Sequence, residues 1–354
     1  MIGVTIDAQF WRGRRVLITG HTGFKGAWLS AVLLEAGARV TGFALEPATE
    51  PNLFTLLGLE REIDSHVGDV RDLEALRRVV RTAEPEYLFH LAAQALVADG
   101  YADPVGTYAT NVMGTVNVLE AVRAIDPLRA AVVVSSDKCY ENREWVWGYR
   151  EIERMGGNDP YSSSKGAAEL VVHAYRRSFF SSGPAIASAR AGNVIGGGDW
   201  SKKRLVPDVV RAVLRGSELE LRNPTAVRPW QHVLEPLSGY LLLARRAAED
   251  PRAFAEAWNF GPAGMQQITV AEMAARLLTE MGSHTKVKVV DRHEPHEAHL
   301  LLLDSAKSRD RLGWRNRMSD EQAIRRTAEW YREWDEGADV RDLTLRQIRE
   351  YFDA

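Results

Sequence analysis

Residues 16–26 run from a short apolar segment, Val16-Leu17-Ile18-Thr19, straight into Gly20-His21-Thr22-Gly23-Phe24-Lys25-Gly26, and then into an amphipathic stretch that ends near Glu35. No other feature restricts the fold as strongly. A buried strand, a tight glycine turn and a helix that opens on free backbone N–H groups make half of a βαβ unit. The glycines let the backbone approach a pyrophosphate at the positive end of the helix dipole. The pattern predicts a helix over 24–35, stopped at Gly37, and a second strand over 39–43. Further strands are expected over 87–91 and 131–134, and helices over 72–82, 108–124 and 161–180. Such alternation implies right-handed crossovers and a doubly wound parallel sheet, an α/β fold covered on both faces.

After Gly192 the pattern loosens. Gly196-Gly197-Gly198, scattered prolines and short strand candidates over 220–222 and 258–260 follow, with capping boxes at Thr269/Glu272 and Ser319/Gln322. At 354 residues the chain exceeds one ordinary core. The expected organisation is a Rossmann-type domain over 1–191 and a smaller C-terminal α/β lobe over 192–354, with segments free to interleave and the binding cleft between them.

The formal charge of -3 gives no general attraction to nucleic acid or to an anionic membrane. Small molecules are the expected partners. A single cysteine, Cys139, excludes an intrachain disulfide framework and agrees with a reducing, cytoplasmic setting. No apolar run approaches the length of a membrane span, and the polar start lacks the hydrophobic segment of a secretory signal.

Chemistry concentrates in Tyr161-Ser162-Ser163-Ser164-Lys165 and in Ser135-Ser136-Asp137-Lys138. Residues four apart share a helix face, so the Lys165 ammonium is expected beside the Tyr161 phenol, lowering its pKa so that the phenolate serves as a base. That base suits proton removal from a hydroxyl while hydride leaves the same carbon. A tyrosine and a lysine at this spacing also occur as an ordinary half-buried pair, so the glycine turn is what lends the motif weight. At the end of the second strand, where an acidic residue normally binds the adenosine ribose, Ala44 stands, with Glu46 two residues on. No arginine is there to hold a 2′-phosphate, and NAD is the expected cofactor.

The G-x-x-G-x-x-G spacing resembles that of the extended short-chain dehydrogenase/reductase superfamily. Within it the runs 20–26, 136–150 and 192–200 (Gly192-Asn193-Val194-Ile195-Gly196-Gly197-Gly198-Asp199-Trp200), with Arg228-Pro229-Trp230-Gln231-His232-Val233, are similar to the CDP-glucose 4,6-dehydratase family. The resemblance extends from Phe10 to about Trp314. It implies NAD held by Gly20, Thr22, Gly23, Phe24, Lys25, Gly26, Asp69, Val70, Leu91, Ala92, Ala93, Tyr161 and Lys165. It further implies three steps: oxidation at C4 of a CDP-hexose, loss of water across C5 and C6, and return of the hydride to C6. Tyr161 with Ser136 and Lys165 would serve the redox steps, and a protonated Asp137 would expel the C6 hydroxyl. Where the related dTDP-glucose enzymes carry a glutamate, Lys138 stands here, either as the C5 base or as a cation stabilising the enolate.

The same resemblance suggests substrate contacts at Gln94, Asn193, Arg228, His296 and Glu297. Lys202 and Arg204 either close over the nucleotide or form a solvated basic run. His293-Glu294-Pro295-His296-Glu297-Ala298-His299 does not have the spacing of a zinc site, and no metal is expected. One departure stands out: Leu96-Val97-Ala98-Asp99-Gly100-Tyr101 lacks the arginine and serine that the family usually carries there, which bears on the hexose and on the base. The family also implies a homodimer or tetramer built on helices near 108–124 and 161–180, and a product that feeds deoxysugar and polysaccharide synthesis. The alternatives are a sugar-nucleotide 4-epimerase, a dehydratase for another nucleotide hexose, and a catalytically silent nucleotide-binding scaffold.

Overall fold

The computed structural model describes residues 7–262, 268–290 and 300–353. Seven strands, β1 (Arg15–Thr19), β2 (Arg39–Ala44), β3 (Asp64–Val67), β4 (Tyr87–His90), β5 (Ala130–Val134), β6 (Ala185–Ala191) and β7 (Ala257–Phe260), form one sheet in the order β7-β6-β5-β4-β1-β2-β3. Every pairing is parallel. The chain therefore doubles back between β1 and β4. In sheets of this kind the crevice at that reversal, beyond the carboxyl ends of the strands, is where ligands bind.

Strand side chains alternate between two cores. Val16, Ile18, Ala130, Val132 and Val134 join one core, which also takes in α1 (Phe24–Glu35), while Leu17, Ala131 and Val133 join the other. That second core is closed by α2 (Leu73–Ala83), α3 (Gly114–Val122) and α4 (Pro160–Ser178). The first is closed by α5 (Leu205–Arg215), α6 (Leu234–Glu249), α7 (Val270–Glu280), α8 (Asp320–Asp335) and α9 (Val340–Asp353). Both expected capping boxes are formed, at Thr269/Glu272 and Ser319/Gln322.

The strand expected over 258–260 is present but stands elsewhere than its place in the sequence suggests. It pairs with β6 as the edge of the main sheet, so the second half of the chain returns to complete the first half's sheet. Two strands of the main sheet were not expected. β3 reads Asp-Ser-His-Val, a polar edge strand, and β6 is alanine-rich and carries the buried Ser188 and Arg190. The other short strands lie outside the sheet, 219–221 paired with 287–289 and 194–195 with 231–232.

The triple glycine is a packing device. A Cβ on Gly197 would stand 2.0 Å from the Trp330 ring, and the Trp28 indole donates to the Gly197 carbonyl at 2.9 Å, joining α1 and α8 through the turn between them.

Three buried imidazoles mark where the layers meet. His21 bonds Ser65 at 2.8 Å, His90 sits between Thr19 (2.6 Å) and Thr115 (3.2 Å), and His232 lies edge-on to Trp28. Burial lowers His21 to about 4, and His90 and His232 each to about 3, so all three are neutral in the fold. Between these values and the ordinary 6.5 only the unfolded chain takes up the proton. Their contribution to stability is thus complete above about pH 6.5 and is lost as pH falls towards the folded values. At about pH 5.5 the loss is about 1.4 kcal/mol for each imidazole. Urea unfolding near neutrality and near pH 5.5 measures this, and His232→Gln should show a smaller drop between the two than the unaltered chain; an equal drop would contradict the assignment.

Candidate active site

The turn after β1 is built on two close approaches. Gly20 has φ 81°, and a Cβ there would lie 2.6 Å from the Ala92 nitrogen, so the turn lies directly against the loop that follows β4. A Cβ on Gly26 would lie 2.1 Å from the Gly20 carbonyl oxygen, so only glycine lets α1 begin this close to the turn. Gly23 is the N-cap of α1 and brings no side chain to it, leaving the first N–H groups of Phe24, Lys25 and Gly26 to an external acceptor. Thr22 donates to the Leu45 carbonyl at 2.8 Å and fixes the segment after β2, which ends on a buried Ala44. These features fit a dinucleotide pyrophosphate.

Farther along the same edge, both oxygens of Asp69 are engaged by Arg71, through its backbone N–H at 2.8 Å and its guanidinium at 2.5 and 2.8 Å, and this pairing holds the carboxylate below its ordinary pKa. Val70 is buried beneath, against Gly114. Leu91 donates to the Thr19 carbonyl, and Ala92 and Ala93 follow as small half-buried residues. The Gln94 amide closes on the Leu96 backbone at both ends, 2.9 Å through nitrogen and 2.8 Å through oxygen, and so braces the loop. The sequence reading missed Asn111, buried in a π turn before α3. It accepts from the Gln94 N–H (2.9 Å) and donates to the Gln94 carbonyl (3.0 Å) and to Ser164 (2.8 Å), tying the loop after β4 to α4.

The expected chemical residues converge on the carboxyl end of β5. Ser136 caps the short turn Asp137–Cys139; its hydroxyl donates to Asp137 Oδ1 at 2.9 Å and accepts from the Lys138 N–H at 3.2 Å. Tyr161 lies in the first turn of α4, which Asp159 caps, and Lys165 follows one turn on; both are buried. Asp137 is 2 % exposed and its Oδ2 has no protein partner. Burial raises its pKa and outweighs the opposing Lys138, Arg228 and Lys25 charges and the Ser136 hydrogen bond, so this is a carboxyl group biased towards its protonated form.

For Tyr161 the structure reverses the expected direction. Burial pushes the phenol up to about 12; the Ser136 hydrogen bond and Arg204 oppose this, and Asp137 and Asp159 add to it. Lys165 is lowered by burial to about 8, with Glu169 and Cys139 pulling the other way. Lys25 reaches the same region from α1. Burial, Arg204 and Lys165 lower it to about 7 against the pull of Asp137 and Asp199.

From the second half, Arg228 is 3 % exposed and donates to the Val227 carbonyl at 2.9 Å. Arg204 turns inward to Asp199 at 3.1 Å, whereas Lys202 is exposed in the turn before α5, so the two residues separate into an inner and an outer cation. Asn193 is half-buried, and its carbonyl accepts from the Gln231 N–H at 3.2 Å. Lys138 lines a narrow cleft with Asn142, Glu144, Asp159 and Ser162. His296 and Glu297 lie outside the described residues. Among the described residues no group of three or more His, Cys, Asp or Glu gathers as metal ligands would, and no helix is long and apolar enough to cross a membrane.

A family model described as GDP-mannose 4,6 dehydratase matches residues 17–327. The chain is 48 % identical over 355 residues to a CDP-glucose 4,6-dehydratase of Salmonella typhimurium, covering 99 % of each. It is 29 % identical to a dTDP-glucose 4,6-dehydratase of Xanthomonas campestris, over 89 % of this chain and 92 % of that one. Among solved structures, the dTDP-glucose 4,6-dehydratase of Streptomyces venezuelae with NAD bound superposes with a TM-score of 0.78 at 26 % identity, covering 90 % of this chain and 97 % of that one.

Gly192 follows β6 and faces Asp137: a Cβ there would lie 2.6 Å from both Oδ2 and the Pro229 ring. Gly192→Ala is therefore expected to displace the carboxyl group and to cost about 1–3 kcal/mol. Gly23→Ala, whose Cβ would stand in ordinary contact 3.4 Å from the Gly20 carbonyl, should cost under about 1 kcal/mol. Paired urea melts measure the contrast, and equal losses would show that residue 192 has room to spare.

Proposed function

The chain belongs to the GDP-mannose 4,6 dehydratase family, and on that premise we propose that it converts CDP-glucose to CDP-4-keto-6-deoxyglucose with NAD as a resident cofactor, acting as a hydro-lyase. The observation that carries the choice of substrate is the 48 % identity, end to end, with a CDP-glucose 4,6-dehydratase. The glycine turn, the uncapped start of α1 and Ala92 would hold the dinucleotide. Ala44, with Arg71 already committed to Asp69, favours the form without a 2′-phosphate. When bound, NAD takes the hydride from C4 and returns it to C6, and its oxidised ring brings a positive charge to the cleft.

In this reading Tyr161 takes the proton of the C4 hydroxyl, Ser136 sharing the hydrogen bond, and Lys165 orients the ribose. A phenol raised to about 12 makes a poor base by itself, so the step depends on positive charge arriving with the cofactor. Once C4 is a ketone, the C5 hydrogen is acidic. Asp137, whose pKa burial raises, gives a proton from its carboxyl group to the departing C6 hydroxyl, while the C5 proton passes to Lys138, or to water with the Lys138 ammonium stabilising the enolate. Arg228 and Arg204, with Asn193 beside them, receive the diphosphate. The nucleotide-sugar lobe is drawn from 192–354. Two copies pair through the helical stretch 104–122 and α4, which expose Val105, Met113, Leu170 and Phe179. A reducing cytoplasm, in which the buried Cys139 stays a free thiol, suits the chain.

Incubation with CDP-glucose and NAD should yield a 4-keto sugar, detected by its absorbance in alkali. No ketone from CDP-glucose, with ketone from a UDP-, dTDP- or GDP-hexose, would reassign the substrate; none from any would defeat the dehydratase reading. Lys138→Ala should reduce solvent exchange at C5 by tenfold or more, about 1.4 kcal/mol of lost transition-state stabilisation. Unchanged exchange with unchanged turnover would remove Lys138 from the chemistry.

A further inference from the structure

One turn beyond Lys165 on α4 lies a carboxylate that the steps above do not use. The Glu169 side chain is 4 % exposed and its partner Arg190 is 5 % exposed. Ser135 donates to Glu169 Oε1, while Ser188 (2.7 Å) and Arg190 Nη2 (2.8 Å) donate to Oε2. Ser135 directly precedes Ser136, and Ser188 and Arg190 lie on β6. Arg190 Nη1 donates to the Tyr140 hydroxyl at 2.7 Å, which donates to Asn259 on β7 at 2.7 Å. A buried ion pair is seldom a gain in stability over a well-packed apolar pair, because removing both charges from water costs about what their attraction returns. Its presence immediately behind the redox pair calls for another reason.

We propose that Glu169 is the positioning residue of Tyr161 and Lys165: it pins α4 to the ends of β5 and β6 so that Ser136 stays opposite the phenol, and it supplies the buried negative charge that Lys165 faces. The inference rests on the NAD-dependent reading of the site. Lys165 is enclosed, and burial alone drives it towards the neutral amine. Glu169 is the largest influence in the opposite direction, followed by Cys139. The other groups that face Lys165 are Lys25 from α1, a like charge that is itself lost above about 7, and His90 at the end of β4, which is neutral. Burial would also raise Glu169. The Arg190 charge and the hydrogen bonds from Arg190, Ser135 and Ser188 more than reverse this, with Arg176 also nearby, so Glu169 stays ionised. Arg190 thus keeps Glu169 charged, and Glu169 keeps Lys165 charged.

The sign follows. Lys165 is an ammonium below about 8 and loses its charge above that. Removing the negative charge of Glu169 lowers this midpoint, and removing Arg190 lowers it too, because burial then returns Glu169 towards its neutral form. The affinity for NAD, read as quenching of tryptophan fluorescence in the absence of any sugar nucleotide, is measured against pH for the unaltered chain, Glu169→Gln, Arg190→Gln and Lys165→Met. The unaltered chain should lose affinity as pH rises through about 8, whereas Lys165→Met should keep only the fall that Lys25 gives. The fall should move down by about one pH unit in Glu169→Gln and downward also in Arg190→Gln. Glu169→Asp should restore the midpoint while turnover stays reduced, since the shorter side chain cannot reach both serines. Midpoints unmoved from that of the unaltered chain, an upward displacement in either Gln variant, or a Lys165→Met profile identical to the unaltered one would overturn the proposal. Should one Gln variant fail to fold, the displacement in the other decides. An unaltered chain that makes no 4-keto sugar sinks the dehydratase reading alone, because the NAD titration does not need the substrate.

Discussion

Arg190 donates a charge-assisted hydrogen bond to Glu169 where water does not reach, and much of the remaining geometry hangs on it. Breaking such a pair leaves an uncompensated buried charge at a cost of about 3–5 kcal/mol, so the stretches of chain that meet there are held in one arrangement. Those stretches are the end of β5 through Ser135, β6 through Ser188, α4 through Glu169 itself, and Tyr140. Asn259 extends the network. It accepts from Tyr140, and its amide donates to the Tyr149 carbonyl at 2.7 Å and the Asp304 carbonyl at 3.0 Å, while its backbone N–H meets Glu151 at 2.8 Å. The late strand β7, the loop over 140–155 and the segment near 304 are thereby referred to the same point as the redox pair.

One physical condition does two jobs on the cleft floor. Burial favours the neutral form of every carboxyl and phenol there, so it prepares Asp137 to give a proton and at the same time opposes Tyr161 in taking one. The two groups influence each other in the same sense, Asp137 raising the phenol further. Cations distinguish them only partly: Lys138, Arg228 and Lys25 bear on Asp137, while Arg204 bears on Tyr161. In both cases burial prevails over the charges. A cleft floor so arranged leaves the ionisation of both groups dependent on the charge that enters the cleft.

Much of this was legible in the sequence, for reasons that show where legibility ends. β1, α1 and β2 announce themselves because they are apolar or amphipathic at the right period and are set off by glycine, and β4 and β5 because they are continuous apolar runs. β3 and β6 do not, since an edge strand needs little apolar content, and Ser188 and Arg190 interrupt β6 with the polar groups that the buried network requires. The place of β7 is a matter of topology, which local pattern does not carry. Ser136, Asp137, Tyr161 and Lys165 were found through motif spacing and are gathered at one strand end. The direction of the Tyr161 shift was read wrongly, because helical spacing says that Lys165 shares a face but not how much water the fold removes from the phenol. Asn111 left no signal, since the π turn that directs it inward arises only in the packed helix.

The loop departure at 98–100 is where a missing side chain becomes an observation. From the sequence, Ala98 and Gly100 are the loss of a basic and a hydroxyl group beside the sugar. In the fold, a Cβ on Gly100 would lie 3.1 Å from the Tyr161 nitrogen and 3.2 Å from its Cβ, so the short helix Val97–Ala102 lies against the first turn of α4. A larger residue at 100 would hold that helix away from Tyr161 or push α4 from its place over Ser136. The small residues therefore trade polar side chains for a close approach to the backbone and Cβ of Tyr161, and the departure from the family pattern sets how tightly this helix packs on the turn that carries that residue.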